Sequence, residues 1–188
     1  LALGDLELRA RAFVWRDRSF DPNHLVAVVA GVELPTARSW ATADDAARPV
    51  ELQIGSGSFD PIAGLTYSYF GSQVSFHAVS TVLVPTRGFE GTRQGLSWRT
   101  SLAAQYQPFT YFGVRVGADA RLDRPAVEPG GSPDPNSGGL VGFATFGAVS
   151  SVLEDLVVQA SLSIPVVQHL EGEQGESLAF MAGVTYDL

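Results

Sequence analysis

The feature that most constrains this chain is a two-residue period that runs almost from end to end. Successive side chains of a strand point to opposite faces, so strict alternation marks a strand with two unlike surroundings. The last stretch, SLAFMAGVTYDL, alternates to its final residue. Leu178, Phe180, Ala182, Val184, Tyr186 and Leu188 stand on one side, with Ala179, Met181, Gly183, Thr185 and Asp187 between them. In GLSWRTSLAAQYQ, Trp98, Leu102 and Tyr106 oppose Ser97, Arg99, Ser101 and Gln105. In FTYFGVRVGADARLDR, Val114, Val116 and Leu122 oppose Arg115, Asp119 and Arg121. In DLVVQASLSIPVVQH, Leu156, Val158 and Leu162 oppose Gln159, Ser161, Ser163 and His169.

The pattern predicts nine strands, at residues 5–17, 24–36, 59–71, 73–85, 94–107, 109–123, 139–152, 155–168 and 177–188. Strands of globular sheets are usually about 5–6 residues. These are about twice as long, which suits a tilted membrane strand of about 9–11 residues with extensions. A soluble sandwich would show the same alternation. Two features favour an all-β, antiparallel transmembrane barrel instead. The polar faces are rich in small residues, and the apolar faces end in aromatics such as Trp98, Tyr106, Tyr67 and Tyr69, as interface girdles do. No apolar run approaches the ~18 residues of a membrane helix.

Connection lengths support the same architecture. Short links at Gly71–Gln73, Gln107–Phe109 and Glu154–Asp155 alternate with long ones at Ala37–Ser58, Thr86–Arg93, Asp123–Gly138 and Leu170–Glu176; Arg16–Asn23 is intermediate. Tight periplasmic turns and longer outer loops give this rhythm. Bacterial single-chain barrels have even strand numbers with both ends in the periplasm. Nine is odd, so residues 1–188 are expected to form one barrel domain that lacks N-terminal strands, with 10–12 strands in the complete protein. Pro165 inside a strand pattern points to a bulge. GSGSFDP (55–61) lacks the lysine and helix of a phosphate loop, and reads as a turn with Asp60-Pro61 starting a strand.

Composition narrows function. Hydrophobic residues make up 45% and charged residues 17%, and the net charge is −8, which speaks against nucleic acid as a partner. Cysteine is absent, which excludes disulfides and thiolate chemistry and fits an oxidising envelope. His24, His77 and His169 have no metal-ligand spacing. His77 and Ser80 fall on opposite faces of one strand, and no carboxylate is identifiable as an orienter, so neither a metal, a cofactor nor catalytic residues are expected. The acidic outer residues Asp44, Asp45, Glu171, Glu173 and Glu176 read as solvated loops. The residues predicted to face a lumen are Glu7, Arg9, Arg11, Glu33, His77, Arg99, Arg115, Asp119 and Arg121. Such residues can line a pore, or pair and fill it; at 10–12 strands both are open.

The ending resembles the C-terminal signature of outer-membrane barrels. Phe180 and Tyr186 fit it, and Leu188 stands where Phe is usual. That resemblance implies recognition of the last strand by the barrel-assembly machinery. GDLELRARAF (4–13), GVELPTA (31–37), GSGSFDPIAGLTYSY (55–69), NSGGLVGF (136–143) and SIPVVQHLEGEQ (163–174) together resemble the blocks of an outer-membrane transporter family associated with the MetA pathway of phenol degradation. The resemblance implies about three further strands ahead of the first block, and passage of small, aromatic or hydrophobic molecules. The expectation is thus a porin-like channel in a bacterial outer membrane, gated by the loops Ala37–Ser58 and Asp123–Gly138. The alternative is a non-transporting structural barrel, a subunit of an envelope assembly with a protein partner. An outer-membrane hydrolase ranks third.

Overall fold

The computed structural model describes residues 4–37, 42–43, 46–47, 55–153 and 155–186. All nine predicted strands are present: β1 Leu6–Arg16, β2 His24–Leu34, β3 Asp60–Phe70, β4 Val74–Leu83, β5 Ser97–Phe109, β6 Phe112–Asp123, β7 Gly139–Leu153, β8 Leu156–Leu170 and β9 Ala179–Tyr186. Each pairs antiparallel with its sequence neighbours in one nine-stranded sheet, in the order β1 to β9. A two-residue ladder, Thr42–Ala43 with Ala46–Ala47, forms a separate hairpin. Among the described residues the helical structure is a short 3₁₀ turn, Phe89–Gly91. An 11-residue strand rises about 36 Å, which at a tilt near 45° spans about 25 Å, the height of a barrel's apolar band.

The two faces of the sheet are inverted relative to a soluble protein. The buried side chains lie on the polar face: Ala27, Ile62, Thr66, Ser68, Ala103 and Val141. Large apolar side chains stand exposed on the other, including Leu8, Val28, Leu65, Val116, Phe146 and Val184. In a sandwich the apolar face would be the covered one. The polar face is concave, because residues from β4 through β9 border a common cavity there. Side chains on a concave sheet crowd one another, which explains glycines on that face. A Cβ on Gly31 would lie 2.6 Å from the Leu8 carbonyl oxygen, and one on Gly117 would lie 2.9 Å from that of Leu102.

Among the described residues the register shifts at four places, and two of these bulges bear most on the faces. Between Phe13 and Trp15 the register shifts, so Val14 is the extra residue and Trp15 joins the convex face opposite Val26. Between Pro165 and Val167 a second shift follows the proline, as its missing N–H predicts. This second bulge corrects the face expected for His169. Past it, Val167 and His169 pair with Gly142 and Leu140 on the convex face, and Gln168 turns to the concave one opposite Val141. The β5–β6 turn also falls later than expected, at Thr110–Tyr111, because β5 continues through a register shift to Phe109.

The short-turn end is ringed on its convex side by Trp15, His24, Tyr67, Tyr69 and Phe76. His24 Nδ1 lies 2.8 Å from the Tyr67 hydroxyl, and its ring lies 5.0 Å from that of Tyr69. In the turn before β2, the His24 backbone N–H donates to Asp17 at 3.0 Å, which holds the exposed Asp17 carboxyl below its ordinary range. If crowding on the concave face governs side-chain size, Gly31→Val should destabilise the folded barrel by about 1–3 kcal/mol, whereas Ala30→Val on the convex face should be near neutral; urea unfolding of both variants measures the difference.

Candidate lumen site

The register lines up the concave face in rows across the strands. Glu7 stands opposite Glu33, which stands opposite Asp60. Further along, Thr81 pairs with Arg99, Arg99 with Arg121 and Arg121 with Val141. A third row runs from Ser68 through His77, Ala103, Gly117 and Thr145 to Ser163. A fourth joins Ser75, Gln105, Arg115, Gly147, Ser161 and Met181. All nine residues expected to face a lumen, from Glu7 to Arg121, therefore lie on the concave face.

Their charges are treated differently along the axis. Near the long loops, Arg9 pairs with Glu7 on the same strand, and Arg9 Nη2 donates to Glu7 Oε2 at 2.9 Å. Arg121 lies between two carboxylates. Its Nη2 donates to Glu176 Oε1 at 3.1 Å, and its Nε sits 2.9 Å from Asp123 Oδ2 without an aligned hydrogen bond. Arg11 packs over the Phe13 ring at 5.0 Å. Arg99 donates from Nε to Ser97 Oγ at 3.3 Å. Among the described residues Arg99 and Arg115 make no ion pair.

Midway down lies a cavity of about 330 Å³. Arg115, Asp119 and His77 bring its titratable groups, and Gln105, Gln159 and Ser161 neutral polar ones. Gly117 and Gly147 keep part of its wall low. Asp119 Oδ2 accepts from Thr145 Oγ1 at 3.1 Å, and Thr145 Oγ1 lies 3.0 Å from Ser163 Oγ. His77 Nδ1 lies 3.1 Å from Ser68 Oγ, and no described carboxylate bonds to the ring. Ser80 is on the convex face, where its hydroxyl accepts from Trp98 Nε1 at 2.8 Å. A nucleophile–base–acid relay is not assembled around His77. No group of three or more His, Asp or Glu residues among the described ones could hold a metal ion.

Thr145 and Met181 were not separable as lumen residues from sequence. The β7 segment GLVGFATFGAVSS mixes small and apolar residues on both faces, and Met181 is apolar on the polar side of β9. Asp5 and Asp60 carry no sequence motif that marks them as binding groups. Asp5 accepts from the Ala37 and Ser56 backbone N–H groups at 2.9 and 2.8 Å. Asp60, fully buried, accepts from Ser58 Oγ and the Thr86 N–H, both at 3.0 Å. These carboxylates tie the long-loop end together. Of the two expected gating loops, Asp123–Gly138 is described, and most of Ala37–Ser58, with Asp44 and Asp45, lies outside the described residues. Leu188 lies outside them too.

A continuous antiparallel sheet, polar on its concave side and apolar on its convex side, is the fold of an outer-membrane β-barrel. A crystal structure of an outer membrane channel from Pseudomonas putida F1 has the same fold, with a TM-score of 0.68 at 16% identity, over 98% of this chain and 66% of that one. This chain thus spans about two thirds of that channel's length. The model of the family described as "Putative MetA-pathway of phenol degradation" matches residues 2–123, and the chain belongs to that family. No curated protein matches the chain.

The Arg121–Glu176 pair ties the β8–β9 loop to the lumen wall, and the Glu176 N–H donates to Gln168 Oε1 at 2.9 Å. At a half-exposed site such a pair is worth about 1 kcal/mol or less. Glu176→Gln should therefore raise proteinase K cleavage within residues 171–178 by up to about five-fold, with no change in the barrel's mobility on unheated gels.

Proposed function

We propose that this protein is an outer-membrane channel of a bacterial envelope, through which small molecules pass along the polar concave face. The observation that carries this reading is the inversion of the sheet. Charged, amide and hydroxyl groups converge on a mid-lumen cavity, while aliphatic and aromatic side chains cover the face that lipid would touch. The family supports it, and so does the neighbour described as an outer membrane channel. The aromatic or hydrophobic character of the solute is supported by the phenol-degradation description of the family.

The reading has a structural requirement. The outer edges of β1 and β9 have no strand partner among the described residues. Unpaired backbone groups cost several kcal/mol each in lipid. The membrane form therefore needs further β-structure joining Leu6–Arg16 to Ala179–Tyr186, consistent with the greater length of the neighbouring channel. Phe180 and Tyr186 on the convex face of β9 would then form the assembly signal read during insertion.

Single-channel recording of the full-length protein in a planar bilayer tests the reading. Discrete conductance steps are expected, and Arg99→Glu with Arg115→Glu should move the reversal potential toward cation preference. A folded, heat-modifiable barrel that conducts nothing would sink the channel and favour a structural barrel.

A further inference from the structure

We infer that the mid-lumen cavity binds small organic monoanions, namely carboxylates with a compact apolar body, and that Arg115 holds the carboxylate. This deepens the channel reading and rests on it. Among the described residues, the Arg115 guanidinium makes neither an ion pair nor a hydrogen bond, although Arg9 and Arg121 on the same concave face are each matched by acids. Its planar fork of donors fits the two oxygens of a carboxylate.

The surroundings of Arg115 suit the same ligand. Across β5 it faces Gln105, whose Nε2 uses one N–H on Gln107 Oε1 at 3.1 Å and keeps a second. Gln159 and Ser161, on β8 two strands along, add neutral donors to the same cavity. Opposite Arg115 on β7 stands Gly147, and the missing side chain leaves the guanidinium room to reach the cavity. Val149 and Met181 supply apolar wall for the body of the ligand.

Charge placement limits the class to monoanions. Asp119 borders the same cavity four residues along β6, about 13 Å away by strand rise. Its Oδ2 is engaged by Thr145. A cation seeking Asp119 would have to share the cavity with an unmatched arginine. A second carboxylate on the ligand would point toward a fixed negative charge. At about 330 Å³ the cavity sits at the small end of ligand pockets, room for one compact molecule.

The test is calorimetric titration of the full-length protein in detergent with three probes: benzoate, its neutral isostere benzamide, and the dianion terephthalate. Benzoate should bind about tenfold or more tighter than benzamide, and tighter than terephthalate. Arg115→Gln should erase the benzoate preference, and Ser161→Phe, which fills the cavity and leaves Arg115 in place, should weaken all three probes. Unheated gel mobility checks that each variant is folded. Equal binding of benzoate and benzamide by the native protein, or a preference that survives in Arg115→Gln, overturns the inference. Conductance recorded on the same preparation keeps the two readings apart. Conductance without benzoate preference sinks the anion site alone, and benzoate preference without conductance supports the site while removing the channel.

Discussion

Backbone pairing carries this fold, because the described residues hold no dry apolar core to do so. Most strand residues with the least solvent contact are small or polar and lie on the concave face, with Ile62 and Val141 among them, and most of the exposed bulky apolar side chains lie on the convex face. What joins the strands is a ladder that passes from β1 to β9 with two-residue to long connections and no crossover. Each inner strand has both edges satisfied by its neighbours in sequence. That arrangement lets one face be largely apolar, since no main-chain polar group needs water from that side. The concave face is then free to hold charge.

Curvature sets the next constraint. Bending the sheet brings concave side chains together, so residue size on that face is limited by the neighbouring strand's own backbone. Gly31, Gly64, Gly117 and Gly147 would each place a Cβ at or within 3.0 Å of an atom of the adjoining strand. These glycines also fix where space remains. The mid-lumen cavity lies over Gly117 and Gly147, while the rows nearer the long loops are occupied by Arg9 with Glu7 and Arg121 with Asp123. The same device that permits the bend therefore shapes the site.

Much of this was legible in the sequence because period and surroundings match so directly. Wherever alternation is unbroken, as in Ser97–Tyr106 and β6, the face assignments agree with the register, and Arg99, Arg115, Asp119 and Arg121 fall on the concave side. Legibility ends where one residue is added. The bulge after Pro165 shifts the phase by one, and it sends His169 outward and Gln168 inward although the hydrophobic pattern alone says the opposite. The proline announces a bulge but not which residue becomes the extra one. Pairing partners are also beyond sequence reach. That Asp119 is engaged by Thr145, and Arg121 by Glu176 from a loop 55 residues away, depends on register and on how a loop folds back.

The distribution of matched and unmatched charge links these layers to chemistry. Ion pairs between residues two apart on a strand, such as Arg9–Glu7 and Arg121–Asp123, form on one face without help from distant structure. They match Arg9 and Arg121 with acids on the loop-side part of the concave face. Arg115 has Gly113 and Gly117 at its two same-face neighbours, Gln105 across one ladder and Gly147 across the other, so no local acid can reach it. A cation flanked by glycine and amides, with no acid in local reach, keeps its charge free for a ligand at the cavity wall. The sequence spacing that builds the curved sheet thus also leaves Arg115, at the cavity, with no acid beside it.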